Sequence, residues 1–397
     1  MLLIRIFFVI LIIACIIFYI MYLWDFALVL LITVIAVPVI LFIVGLIIKC
    51  SIKIELGVKN DTVMKNESFP VIMNIANRSI FPVGKAEAHI EYSNVFNNQK
   101  NNFVLYMPVQ AHNEQNVVFH INSRFCGILN IRCVKLCIYD PLRLFRFTIK
   151  KANSITAAVM PEGHEINGSV VYSDRANDES CVFSEHKPGD DPSEVFDLRG
   201  YNPGDKLNRI HWKLSSKKDE FIVKDYSLPI DVPCTLFIDL RCTDTSAFML
   251  PVFDTMIEAL VSISQFMLEN ERLHTIVYYS FRTGSFIEKQ VTDADSLSAA
   301  IHDLILSLDK SDLCVPAENY IIEHDTFSLS SFVFITSDAD NKAIGYIDEN
   351  VDADIKNAIV VVKSAEEASA VNDLYADVNV IPVIMGKITS SIKDIEV

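Results

Sequence analysis

Thr235-Leu236-Phe237-Ile238-Asp239 is a strand-length apolar run closed by an acid, and such runs belong to strands buried on both faces. Val252 to Glu269 follows with apolar residues at three- and four-residue steps, the period of a helix packed on such a strand. The alternation continues through a strand at Thr275–Tyr279, a helix at Asp295–Leu308, and strands at Phe332–Thr336, Ala358–Val362 and Val378–Val383. Apolar strands separated by helices argue for a parallel sheet covered on both sides. Residues 234–397 are therefore expected to form a doubly wound α/β domain.

Just upstream, Leu198-Arg199-Gly200-Tyr201-Asn202-Pro203-Gly204-Asp205-Lys206-Leu207-Asn208-Arg209-Ile210-His211-Trp212-Lys213 holds more special residues than packing requires. Pro203-Gly204 makes a turn, and Asp205 stands where an N-cap belongs. Leu207, Ile210 and Leu214 follow at helical spacing, so a helix is expected from Asp205. On it, Lys206, Arg209 and Lys213 would share a face opposite the apolar stripe. The whole chain carries a net charge of −16, yet Asp197 to Lys224 holds seven Lys or Arg against four Asp or Glu. Two readings of this run compete. Arg199, Asp205, Arg209 and Trp212 would form a buried ion-paired joint, or the basic residues, with Lys217 and Lys218, would face an acidic partner.

Further upstream, residues 52 to about 160 read as entirely β. Ile52, Ile54, Leu56 and Val58 alternate with Lys53, Glu55 and Gly57, the two-residue period of a half-buried strand. Similar runs at Phe69–Ile75, Lys85–Tyr92, Phe103–Met107, Val117–Ile121 and Ile128–Ile138 suggest an immunoglobulin-like sandwich of six or seven strands over residues 50–161, with a small barrel as the competing arrangement. The Asn-rich stretch from Asn94 to Asn102 reads as a solvated loop. Residues 162–233 then comprise a long polar loop, to about residue 195, and the motif region, with a short strand at Phe221-Ile222-Val223.

The first 49 residues are different in kind. Ile6–Trp24 and Phe26–Ile48 are uncharged runs of 19 and 23 residues, each long enough to cross a hydrocarbon core of ~30 Å as a helix. Phe18, Tyr19, Tyr22, Trp24 and Phe26 cluster at the hairpin tip, where an aromatic belt would lie. A cleaved signal peptide fits poorly, because no small-x-small site precedes the second run. Arg5, Lys49 and Lys53 flank the hairpin while its tip has no positive charge, so both termini and all later residues are expected in the cytoplasm. Nine cysteines without a CxxC pair agree with a reducing compartment. The acidic balance, with no basic stripe interleaved with aromatics, speaks against nucleic acid as a partner.

The run from Arg199 resembles the hallmark of a bacterial family known only as domain of unknown function fifty-eight. Its pattern is like Arg-x-Tyr-x-x-Gly-Asp-x-x-Arg-x-Ile-x-Trp, matched here by Arg199, Tyr201, Gly204, Asp205, Arg209, Ile210 and Trp212. Asp140-Pro141-Leu142-Arg143-Leu144-Phe145 is similar to the family's Asp-Pro-Phe-Gly-Leu-Phe turn, departing from it at Leu142 and Arg143. Ala158-Val159-Met160-Pro161 resembles the Val-x-Pro strand end that follows. The resemblance implies a von Willebrand factor A-like C-terminal domain, a MoxR-type AAA+ ATPase as partner, and a bacterial inner-membrane location. No reaction comes with it.

Von Willebrand A domains often hold a divalent cation through Asp-x-Ser-x-Ser after the first strand and a Thr and an Asp from later loops, and the middle Thr has no match here. Asp239, Thr243 and Asp338 would be the corresponding oxygen ligands, suited to Mg²⁺. Arg241, however, stands where the first Ser would be, and its guanidinium would repel a dication and pair with Asp239 or Asp338. No GxSxG, HExxH or GxxxxGK[ST] occurs, so the expected role is non-catalytic and without a cofactor. It is that of a membrane-tethered adaptor engaging the ATPase or its client. The alternative is a Mg²⁺-dependent ligand-binding module.

Overall fold

A computed structural model of the chain describes residues 2–22, 25–96, 100–150, 153–171, 183–189, 195–202, 206, 209–218, 220–229, 234–241, 249–308, 317–323, 328–338, 342–370, 377–393 and 395–397. It divides into two compact units, Met1–Met160 and Pro161–Val397.

The first unit opens with helices α1 (Leu2–Tyr22) and α2 (Asp25–Ser51), both long and apolar enough to cross a membrane, and the pair fits a two-pass anchor. The two helices pack on one another with Cys15 and Ala27 buried, and much of their remaining apolar surface stays exposed. Pro38 sits within α2, as membrane helices allow. The helix runs without a linker into β1 (Ile52–Val58), whose residues alternate buried and exposed from Ile52 to Leu56.

Eight more strands follow: β2 (Thr62–Met64), β3 (Ser68–Asn77), β4 (Val83–Asn94), β5 (Asn101–Val109), β6 (Asn113–Asn122), β7 (Gly127–Tyr139), β8 (Arg146–Ile149) and β9 (Asn153–Met160). They form two sheets, β1-β3-β6 and β2-β9-β7-β4-β5, with β8 paired to β7. Inward residues of both, among them Met73, Ile75, Ile90, Ile131 and Leu136, meet in one core. Cys133 lies in that core, and burial pushes its thiol up to about 11, which makes it an inert packing group. The solvated Asn loop is corrected at both ends, since β5 already begins at Asn101. Asn94 is buried and ends β4, its amide donating to the Cys126 carbonyl and its side-chain oxygen accepting from the Phe96 amide.

Between β7 and β8 the chain turns a tight corner. Asp140 accepts from the amides of Leu142 and Phe145, and Arg143 adopts a left-handed φ of 54°. The corner is docked on the helices. Arg5 donates to the Leu144 carbonyl at 2.7 Å, and the Phe145 and Phe147 rings meet Phe42 of α2.

The second unit begins with β10 (Gly168–Ser169), β11 (Phe183–Gly189), β12 (Val195–Gly200), α3 (Trp212–Lys218) and β13 (Ile222–Pro229). The expected polar loop before residue 195 therefore contains two strands. β11, β13 and β12 make a small antiparallel sheet. Then come β14 (Cys234–Ile238), α4 (Met249–Glu269), β15 (His274–Ser280), β16 (Ser285–Val291), α5 (Ala294–Ser307), α6 (Ala317–Glu323), β17 (Ser328–Thr336), α7 (Lys342–Asn350), β18 (Asp352–Val362), α8 (Ala365–Ala370), β19 (Asn379–Ile384), α9 (Ile388–Ser391) and β20 (Ile395–Glu396).

Six of these strands form one sheet, β16-β15-β14-β17-β18-β19, parallel throughout except for the hairpin partner β16. Phe237, Phe332 and Phe334 on one face pack against Tyr320 of α6 and Ile344 of α7. Helix α4 packs on β14, β17 and β18 without joining that cluster, so it covers the other face. By length and composition α4 could cross a membrane, but 78% of its most apolar stretch is buried inside the unit. It is a core helix.

Candidate functional site

The motif residues gather around β12, α3 and β13. Ile210 pairs with Val223 of β13, the His211 amide donates to the Ile222 carbonyl, and the Tyr201 amide donates to the Phe221 carbonyl. Buried Ser215 staples the helix to the strand, its hydroxyl accepting from the Ile222 amide and donating to the His211 carbonyl. The helix starts at Trp212, with Nδ1 of His211 accepting from the Leu214 amide. The helix expected from Asp205 is thus corrected: the Arg209 amide donates to the Lys206 carbonyl, three residues back, and Ile210 lies in a strand pairing. Lys206, Arg209 and Lys213 do not share one helical face. Gly204 and Asp205 lie outside the described residues.

What the local fold brings together is aromatic. Phe221 stands between Tyr201 and Trp212, each centroid 6.2 Å away at 65° and 88°, the edge-to-face arrangement that aromatic quadrupoles favour. Trp212 is 60% and Phe221 58% exposed, with Leu198 of β12 also outward. Lys206, Lys213, Lys217 and Lys218 are exposed, Arg199 and Arg209 partly so. Two large exposed rings thus stand beside four exposed lysines. Phe221 was missed as a site residue because Phe221-Ile222-Val223 reads as a buried strand. Only Ile222 and Val223 are buried.

The second candidate lies at the C-terminal ends of β14 and β17, where strand order reverses and α/β sheets bind ligands. Asp239 is buried there, and its amide donates to the Ile335 carbonyl. Nε of Arg241 donates to both carboxylate oxygens of Asp239 at 3.0 and 2.8 Å, and Nη2 donates to one of them at 2.6 Å. Nη2 also lies 3.6 Å from Glu318 of α6. Asp338 follows β17 half-buried, its amide donating to Oγ1 of Thr336. Thr243 lies outside the described residues. The guanidinium already neutralises Asp239, so the site offers a dication little net charge. Among the described residues no group of three His, Cys, Asp or Glu is placed to hold a metal.

A buried polar pair beneath α4 escaped the sequence reading. Ser264 donates to Nε2 of His274 at 2.6 Å, while Nδ1 donates to the Arg272 carbonyl. Burial lowers the imidazole to about 4. Both side chains are enclosed, so the pair is a structural tie and not a nucleophile with its base.

No family model matches the chain, and no curated protein does. Several solved structures are similar to it over about a quarter of its length. A CARDB domain from Pyrococcus furiosus is 12% identical, with 27% of this chain and 91% of that one covered and a TM-score of 0.21. A cohesin module of a Clostridium perfringens family 33 glycoside hydrolase is 15% identical, with 28% and 96% covered and a TM-score of 0.21. The Pseudomonas fluorescens alkylpurine DNA glycosylase AlkC is 12% identical, with 28% and 30% covered, also at 0.21.

Proposed function

We propose that this chain is a membrane-tethered adaptor without catalysis of its own, which presents the Tyr201–Phe221–Trp212 cluster and its flanking lysines to an acidic protein partner. By the resemblance of its motif, that partner is a MoxR-type AAA+ ATPase or the ATPase's client. The observation that carries the reading is the exposure of two edge-to-face aromatic rings, Trp212 at 60% and Phe221 at 58%, within a basic patch of an acidic chain. Exposed aromatics in such a setting are typical anchors of protein interfaces. The sheet order, with its antiparallel third strand in sequence, supports a von Willebrand A-like fold for residues 234–397, and the two facing sheets support an immunoglobulin-like fold for residues 50–161. In the alternative, a Mg²⁺-dependent module, Asp239 would have to exchange its guanidinium for the ion.

The test is an affinity pull-down of the full chain from detergent-solubilised membranes, read by mass spectrometry. Trp212→Ala/Phe221→Ala and Lys206/Lys213/Lys217→Glu variants, with folding checked by circular dichroism, run beside it. An ATPase recovered by the native chain and lost by both folded variants is the expected result. Equal recovery by all three would remove the patch from the interface. Heat on titrating Mg²⁺ into the purified chain would favour the alternative.

A further inference from the structure

Between α2 and the sandwich lies a part-enclosed cavity of about 260 Å³, walled by Val44, Gly45 and Ile48 on one side and by Phe81, Val83 and Ile138 on the other. It has room for roughly eight groups of the size of a water or a methylene, at ~30 Å³ each. Its walls are almost wholly apolar, and such cavities stay dry and take up hydrocarbon. The Asp140 carboxylate at its rim already accepts two backbone amides.

The level of this cavity follows from helix geometry. From Asp25 to Gly45, α2 rises ~30 Å at ~1.5 Å per residue, the thickness of a hydrocarbon core. Arg5, whose guanidinium belongs at the headgroup boundary, donates to the Leu144 carbonyl and so holds the Asp140–Phe147 corner at that boundary. Arg143 and Arg146 are exposed on the same corner, beside exposed Leu142, a pattern suited to anionic headgroups over acyl chains. Val44 and Leu41 wall the cavity from within the span itself, so its mouth lies where acyl chains begin.

We infer that this cavity accommodates part of an acyl chain of a bilayer phospholipid, wedged between α2 and the sandwich. The lipid completes the contact between anchor and domain. Gly45 leaves the Phe147 ring room against the helix, and the gap beside that contact is what the chain fills.

The experiment places the full-length protein in phosphatidylcholine nanodiscs containing a small fraction of phosphatidylglycerol with a photoactivatable diazirine in its acyl chain. After illumination, crosslinked peptides are mapped by mass spectrometry. The expected labels fall on Phe81–Val83 and Ile138–Pro141 of the sandwich as well as on the outer faces of α1 and α2. Val44→Phe, filling the cavity from the helix, should lower the sandwich labels by about tenfold and leave those on α1 unchanged. Pro82→Trp, filling it from the exposed rim, should do the same and decides the matter if Val44→Phe misfolds. Labels confined to α1 and α2, or sandwich labels unchanged in the folded variants, would overturn the inference.

Discussion

Asp239 closes β14 with its carboxylate nearly out of reach of water, where an unpaired charge would be costly, and Arg241 two residues on supplies the pairing. Arg241→Ala leaves that charge buried and should cost about 3 kcal/mol. Urea unfolding monitored for the full chain would read it as a lower midpoint with an unchanged slope. His274 gives a second prediction, in pH. Burial lowers its folded pKa to about 4 from an ordinary 6.5, so as pH falls the unfolded chain takes the proton first. The stability present above pH ~6.5 is then lost progressively down to pH ~4, by about 3 kcal/mol at ~1.4 kcal/mol per unit. Thermal melts at pH 7 and 4.5 should show a smaller acid loss in His274→Asn than in the native chain; equal losses would assign the effect to other groups.

Elements carry the next step, because here the docked corner and the small sheet are single mechanical pieces. A Cβ on Gly45 would overlap the Phe147 ring, so Gly45→Leu must push the β7–β8 corner off α2. The cost of such overpacking is about 1–3 kcal/mol. Limited proteolysis should then cut at Arg143 or Arg146 faster than in the native chain, and an unchanged rate would mean that the corner does not depend on this contact. Much at this scale was legible beforehand. β14, α4, β15, β17, β18 and β19 follow from unbroken apolar runs and helical steps, and β1 from its alternation. The edge strand β16 was not, since Ser285-Phe286-Ile287-Glu288-Lys289-Gln290-Val291 is half polar and is held by the hairpin through Gly284, whose φ is 69°. The helix start was misread for a related reason. Asp205 signals a cap locally, but Ile210 gains more by pairing with Val223 than by joining a helix. The same non-local pairing sets Phe221 between Tyr201 and Trp212, a juxtaposition no spacing rule contains.

At the scale of the whole molecule, the placement of basic residues predicts which side of the membrane carries the sandwich. Arg5 is bonded to the corner that displays Arg143 and Arg146, and Lys49 and Lys53 lie where α2 enters β1. The described tip of the hairpin holds Asp25 and no cation. Five basic residues at one end against none at the other favours that end in the cytoplasm, beside anionic lipid. Cys50 is an exposed free thiol at this end, whereas Cys15, Cys126, Cys133, Cys137 and Cys234 are buried. A full-length variant retaining Cys50 as its single cysteine should therefore resist a membrane-impermeant maleimide in intact cells and react once the membrane is opened. Reaction in intact cells would put the sandwich outside, where no cytoplasmic ATPase can reach the Trp212 patch. The adaptor reading would then fall, while the acyl-chain inference would stand, since that cavity needs only a leaflet beside it.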